Sequence, residues 1–520
     1  LFVIAGLPVG CAPFLVPIHF PPWLGFHAEA LAFAGVAVAL VAAHVRGVAP
    51  GGCQRPVVVL AFLAVVPWLQ WLAGLNSFSG DALLSWFYLL ALAAAMQLGA
   101  SLAARGSTHD ATIGAAAFFA AGALASAWIG IAQWLGVADR AGAWMAFAEP
   151  GVRAAGNLAQ PNQLATLCLM GVACVVWLQR AGFIGRLALT LLVASLTIAV
   201  AMTQSRAGLA SAFAMMLLAL ALRRRAPAIP SACTVVAWFC LLAAAWLVVP
   251  ALGELLLLGA GRETVLTDNS ARTQLWAQVL SGISQRPWLG YGWNQTAVAH
   301  MAGAAAGPGG PTIVFAHNVV LDLVAWLGVP LASGLLATVA YWTWTRARAV
   351  RHPQAAFALL VLVPVGVHSQ FGVPSAYAYF LLPVGIAAGI IEAHHGSPHL
   401  RVPAWLTQGV FGLWVGLGVG IAMEYRTIEE EFRIVRFAAA RIGFLPAGAP
   451  LERIRLNSHM DAMLDAARMD IAPRMRPQQL ETLRLACDRF PYSALTLRCA
   501  VAFALDGLPG RADALLARYR

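Results

Sequence analysis

Thirteen apolar runs, each close to bilayer-crossing length, constrain this chain more than any other feature. An α-helix rises about 1.5 Å per residue and the hydrocarbon core is about 30 Å thick, so roughly 17–25 apolar residues suffice to span it. Such runs fall near 2–18, 27–45, 56–74, 83–104, 113–137, 162–180, 187–203, 207–222, 231–250, 318–344, 355–372, 376–393 and 404–423. Lipid offers no partner to a bare peptide group, so each run is expected as a helix. The expected fold is therefore an all-α polytopic membrane protein with about 13 transmembrane helices. The first run reads as a spanning helix and not as a cleavable leader.

Charge follows the same division. Only 11% of the 520 residues are charged, against roughly 25% in soluble domains. Residues 424–520 hold 27 charged side chains, 15 Arg and 12 acidic, while the 423 residues before them hold 28. Two domains are expected: a membrane domain over 1–423 and a soluble appendage over 424–520. The appendage reads as helical. Charged and apolar residues alternate at helical spacing through EYRTIEEEFRIVRFAAARIG (424–443), and 477–518 reads as a tetratricopeptide-like helix–turn–helix broken at DGLPG (506–510).

All 33 basic residues are Arg. A GC-rich genome explains that bias, so only the position of an Arg carries information. One set of connections holds Arg46 and Arg55, Arg105, Arg180 and Arg186, Arg223 to Arg225, Arg346, Arg348 and Arg351, and Arg401. The positive-inside rule makes that set cytoplasmic. The alternate connections, 19–26, 75–82, 138–161, 204–206, 251–317 and 373–375, then lie outside with the tail. The longest of them before the tail, 251–317, carries an amphipathic stretch (269–283), a turn RPWLGYGW (286–293) and a Gly-rich hinge GAAAGPGGP (303–311). Long external loops of this kind often cover active sites.

Several polar residues interrupt the apolar pattern at that outer face. Ionisable groups near lipid are costly and usually functional, and cations gathered there suit an anionic substrate such as a lipid-linked phosphate. His317 opens AHNVVLDLVAWLG (316–328) with an imidazole that titrates near working pH; the plainer reading is an interfacial histidine reaching water. Asn318 adjoins it, and Asp322, five residues on, could orient the ring or hold its proton. Arg206 sits in the short turn of TQSRAGL (203–209), where guanidinium geometry suits phosphate and a membrane-edge anchor is the alternative. Arg272 and Arg153 read in the same two ways. In GNLAQPNQLA (156–165), Pro161 suits a helix start, and Asn157, Gln160 and Asn162 offer donors and acceptors to hydroxyl-rich ligands. His368, Tyr377 and Tyr379 lie near the outer ends of two late helices, where the tyrosines either stack on sugars or form an aromatic belt.

Six of the eight cysteines lie in or beside apolar runs, where they pack as small residues. Cys487 and Cys499 lie in the tail, either as a disulfide, if the tail is periplasmic, or as two core cysteines. No nucleotide loop, DxD pair or zinc spacing is present, so no cofactor and no nucleic-acid partner is expected. A transporter would show charges near the bilayer midplane or internal repeats, and the polar groups cluster at one face instead.

These strings in this order resemble the O-antigen ligase and polymerase superfamily of bacterial inner-membrane glycosyltransferases, most closely its pilin-type protein O-oligosaccharyltransferases. VPIHFPPWLGFHAEALA (16–32), PWLQWLAGLNSFSGDALLSWFY (67–88), GNLAQPNQLA, QSRAGL, the Arg272–Trp276 and RPWLGYGW pair, AHNVVLDLVAWLG and HSQFGVPSAYAYFLLP (368–383) carry the resemblance. It implies a GT-C-like fold in the inner membrane. It also implies a glycan donor on undecaprenyl pyrophosphate and metal-free transfer on the periplasmic face. In those terms Arg206 and Arg272 hold the pyrophosphate, and His317 assists the acceptor hydroxyl. Members that modify pilins tend to carry an acidic-aromatic pair where Gly372 and Val373 stand here. The acceptor thus stays open between a pilin-like protein and the lipid A core, with polymerisation of the glycan as a further alternative.

Overall fold

The computed structural model describes residues 11–45, 52–103, 108–149, 151–258, 269–303, 313–396, 399–442 and 453–517. Their regular structure is helical apart from a two-residue antiparallel ladder between β1 (Cys53–Gln54) and β2 (His399–Leu400). In chain order the helices begin with α1 (Phe26–Val45), α2 (Arg55–Leu63), α3 (Val66–Leu72), α4 (Ser79–Ala103) and α5 (Thr108–Trp134). Next come α6 (Pro161–Arg180), α7 (Arg186–Met202), α8 (Arg206–Leu222), α9 (Ala232–Leu255), α10 (Asn269–Gln285) and α11 (Thr296–Gly303). The last are α12 (Val319–Ala349), α13 (Pro353–His368), α14 (Ala378–His395), α15 (Ala404–Ala439), α16 (Ser458–Arg468), α17 (Pro477–Arg489), α18 (Ser493–Leu505) and α19 (Pro509–Leu516).

Nine helical stretches among the described residues are long and apolar enough to cross a membrane. Three further apolar helices, α7, α8 and α13, have 16 or 17 residues and coincide with predicted runs. The predicted run 2–18 falls mostly outside the described residues, whose portion of it contains a single 3-10 turn at Ala12–Phe14. The run 56–74 is interrupted between α2 and α3, because Pro67 in the first turn of α3 supplies no amide to a continuous ladder. The Gly-rich hinge after Gly303, and Arg46, Arg105 and the residues just before Asn269, lie outside the described residues.

The chain divides into two compact units. One comprises 1–61, 90–265 and 340–410, the other 62–89, 266–339 and 411–520. Residues 423 and 424 lie inside α15, which runs unbroken from Ala404 to Ala439, because charge begins there without any helix-stopping residue. Within the first unit, α6 packs against α5, α7, α8 and α13. Its apolar window is 83% buried, whereas those of α1 and α9 are only 17% buried. Apolar surface left uncovered by protein is what a lipid-facing helix presents, so α6 is the unit's centre and α1 and α9 lie at its rim.

The second unit has its own small core. Val279 and Ile283 of α10, Ala299 of α11, Tyr291, Ile313, Ala316 and Ala325 form one buried cluster. Glycine permits the tight α10–α11 crossing, since a Cβ at Gly282 would stand 1.9 Å from the Ala299 carbonyl oxygen. The RPWLGYGW turn is fixed to a kink in α12, where Gly328 has φ +73°. There the Tyr291 amide donates to Ala325 (2.8 Å), and the Val329 amide donates to Pro287 (2.7 Å). Cys487 and Cys499 form a disulfide that joins α17 to α18.

Candidate active site

In the second unit the chain leading into α12 is held at three points around His317. The Ala316 amide donates to Asp322 Oδ1 (2.8 Å). The Ala316 carbonyl accepts from Trp276 Nε1 (2.9 Å). Asn318 caps α12, its Oδ1 accepting from the amides of Val320 (3.0 Å) and Leu321 (3.1 Å). Between these anchors His317 adopts φ +54°, a left-handed conformation that disfavours a side chain with a Cβ. Backbone strain of this kind persists only where the surroundings impose it.

Among the described residues the His317 imidazole forms no hydrogen bond, so it is available to an incoming group. Burial pushes its pKa below the usual value, and the positive charge of Arg272 pushes it further in the same direction. The ring is therefore neutral at pH 7, the state that accepts a proton. Arg272 and Trp276 are four residues apart on α10 and share a face. Trp276 grips Ala316, and the exposed Arg272 guanidinium lies close enough for His317 to feel its charge.

Asp322 does not orient the His317 ring. Its Oδ1 is engaged by the Ala316 amide and by Thr296 Oγ1 (2.7 Å), which in turn accepts from Trp326 Nε1 (2.7 Å). The carboxylate thus supports the backbone beneath the histidine.

In the first unit, Arg206 is the first residue of α8 and is exposed. Among the described residues it has no hydrogen bond or ion pair, and it stands where the helix dipole also favours an anion. Its turn is heavily braced. Ser205 caps α8 by accepting from Gly208 N (2.9 Å) and donates to Asn162 Oδ1 (2.8 Å). Arg153 donates from Nε to the Thr203 carbonyl (2.8 Å) and from its terminal nitrogen to Asn162 Oδ1 (3.1 Å). Arg153 and Asn162 are thus brought together with the Arg206 turn, but as its supports.

The remaining expected ligand residues separate. Asn157 is buried and knots three loops: it accepts from the Ala146 amide (2.9 Å) and donates to the carbonyls of Leu15 (2.7 Å) and Trp144 (2.9 Å). It has no face left for a sugar. Asn157→Ala is expected to lower stability by about 1–3 kcal/mol by stranding those buried groups, with turnover intact below the melting transition, as thermal unfolding in detergent would show. Gln160 precedes α6 without a side-chain cap, and its Oε1 is buried without a partner among the described residues. Tyr379 is a core residue whose hydroxyl donates to Gln163 Oε1 (2.9 Å), so it is not a sugar platform. Tyr377 is half-buried against it, ring centroids 5.2 Å apart.

His368 is fully buried, with Nδ1 2.8 Å from Thr166 Oγ1. Gly372 packs against that ring, since a Cβ would lie 2.5 Å from His368 Nε2 and the imidazole would have to shift. Sequence reasoning missed Glu29, which is buried and accepts from Trp23 Nε1 (3.0 Å) and the Ala378 amide (3.1 Å). It also missed Asp81 and Arg489, a buried ion pair at 2.8 Å. The acid in SFSGD was the available signal for the first; nothing local marks the second.

Comparison with known proteins finds relatives of these regions. Residues 189–336, which include Arg206, Arg272 and His317, match the family described as O-antigen ligase. Residues 154–178 match protein glycosylation ligase, and 356–520 match the C-terminal region of a virulence factor membrane-bound polymerase. The chain is 28% identical over 443 residues to a general O-oligosaccharyltransferase of Acinetobacter baylyi, covering 82% of this chain and 76% of that one. It is 27% identical over 252 residues to a ComP-specific O-oligosaccharyltransferase of the same organism, covering 47% and 44%.

Proposed function

We propose that this chain, which belongs with the O-antigen ligases and protein O-oligosaccharyltransferases, moves a glycan as one block from undecaprenyl pyrophosphate to a hydroxyl acceptor. The acceptor is a Ser or Thr of a periplasmic, pilin-like protein. The observation that carries this reading is His317: a neutral, unengaged imidazole held in a strained backbone beside Arg272. His317 takes the proton of the acceptor hydroxyl as its oxygen attacks the anomeric carbon. The bond from that carbon to the phosphate oxygen breaks, and the lipid pyrophosphate leaves with the electron pair. Direct displacement inverts the anomeric centre. Arg272 and Arg206 stabilise the charge that develops on the diphosphate, the kind of contact that contributes most where charge appears in the transition state. No metal or cofactor takes part.

The face assignment is supported by the positive-inside pattern and by the tail disulfide, since such bonds persist in oxidising compartments. The reaction then takes place on the periplasmic side of the inner membrane. A second reading has a growing glycan as acceptor, and the polymerase match over 356–520 favours it. Transfer onto the lipid A core uses the same donor chemistry.

The test is purified enzyme in lipid nanodiscs with lipid-linked oligosaccharide and, in turn, a pilin-like protein, lipid A core and no added acceptor. A glycosylated protein of one added mass supports the proposal; a ladder of lipid-linked products, or product on the core lipid alone, overturns the protein acceptor. The pH profile gives an independent check. Because burial and Arg272 lower the His317 pKa, the acid limb of kcat should lie below about 6.5, the ordinary histidine value. Arg272→Gln removes the nearby cation, so the ring protonates more readily and the limb moves to higher pH. A limb that stays in place in that variant would separate Arg272 from the base.

A further inference from the structure

The tail is seated on residues 79–81 through three contacts from two of its helices. Ser458, the first residue of α16, accepts from the Gly80 amide (2.9 Å) and pairs with the Ser79 hydroxyl (3.2 Å). His459 packs its Nδ1 against Gly80. Arg489, the last residue of α17, approaches Asp81 with Nε 3.0 Å from Oδ2 and a terminal nitrogen 2.8 Å from Oδ1. Arg489 and Asp81 are 6% and 1% exposed, so this is a desolvated, two-pronged contact and not a surface pair.

Asp81 leads on toward His317. Its Oδ2 also accepts from Gln295 Nε2 (3.1 Å), and Gln295 immediately precedes α11. The next residue, Thr296, donates to Asp322, and Asp322 holds the Ala316 amide. A continuous path thus runs by hydrogen bonds from Arg489 through Asp81 to Gln295, along the chain to Thr296, and by hydrogen bonds through Asp322 to the amide of Ala316, the residue before His317. Every polar link in it is buried, so no water competes for its bonds.

We propose that Arg489 is a positioning residue for the transfer reaction: the tail locks α11 through Asp81 and so holds His317 in its left-handed conformation beside Arg272. This role rests on the assignment of His317 as the base. The titratable groups around the pair are His459 and Tyr492. Burial pushes the His459 pKa down to about 4 against the pull of Asp81, so it is uncharged at working pH. Burial disfavours the charge on Arg489, and Asp81 more than offsets it. The pair therefore stays ionised across the range in which His317 titrates.

The test uses the full-length protein in nanodiscs with two readouts. One is transfer kinetics; the other is the pH dependence of His317 modification by diethyl pyrocarbonate, read by mass spectrometry without substrate. The main variant is Arg489→Gln with Asp81→Asn, which leaves no unpaired buried charge. Arg484→Ala is the control, because Arg484 lies on the same helix and among the described residues pairs only with the exposed Glu481 and the half-exposed Asp488. The double variant should remain folded yet lose about tenfold or more in kcat, with the donor KM within about twofold, as expected when a base is displaced and the donor contacts are not. Its His317 titration should move up toward the ordinary value, while the control matches the wild type. A folded double variant with wild-type kcat and a wild-type His317 titration overturns the proposal. If the double variant does not fold, Arg489→Lys decides by the same titration, since it keeps the charge and loses the paired contact. If the wild type transfers no glycan, the function assignment fails, and the chemical titration still reports whether Arg489 positions His317.

Discussion

His317→Ala is expected to lower kcat by about 10²–10⁴-fold while leaving the donor KM nearly unchanged, the span typical of a lost general base. The imidazole makes no hydrogen bond among the described residues, so its removal strands no partner and opens no core. The fold should persist, with only a small loss of stability because alanine adopts a left-handed φ less readily than histidine. Loss of turnover in a protein of nearly unchanged melting temperature would therefore report chemistry and not collapse. Single-turnover measurement with lipid-linked glycan gives the direct answer. Near-wild-type turnover would remove His317 from the mechanism and leave Arg272 as an isolated surface cation.

The second large effect concerns Arg206. Arg206→Ala is expected to cost about 10²–10³-fold in kcat/KM, the range seen when one donor to a developing anion is removed. Arg206→Lys should already lose about tenfold, because a compact ammonium cannot reproduce two parallel N–H contacts. The side chain is exposed and unengaged among the described residues, while Ser205, Asn162 and Arg153 brace its turn. A rigid frame around a free guanidinium is the arrangement expected of a preorganised anion contact. A lysine variant within about twofold of wild type would show that residue 206 supplies only charge at the membrane edge.

Much of the helical plan was legible because lipid enforces it: a bare peptide in hydrocarbon is so costly that run length alone predicts a helix. Hence α7, α8 and α13 fall on predicted runs, and α6 starts at Pro161, where the turn signal put it. The breaks were less legible. The interruption before Pro67 and the unbroken passage of α15 through residue 424 depend on single residues inside apolar or charged stretches.

The polar candidates read from the sequence divide by what they touch. His317, Arg206 and Arg272 announced themselves as polar groups in apolar surroundings, and those positions are unengaged or exposed. Asn157, Asn162, Arg153, Asp322 and Tyr379 gave the same signal for another reason: each satisfies buried backbone or side-chain groups. Sequence alone cannot separate a polar residue that serves a ligand from one that serves a loop, since both violate the local apolar pattern. Arg489 was invisible for a simpler reason. Its partner lies 408 positions earlier, and no periodicity reaches so far.

The backbone at residue 317 has one more implication. A left-handed non-glycine residue costs on the order of 1 kcal/mol in every molecule that folds. Glycine or asparagine would occupy the same φ more comfortably. A substitution to either residue should therefore gain stability, and the proposed base is expected to be the side chain that this gain would remove.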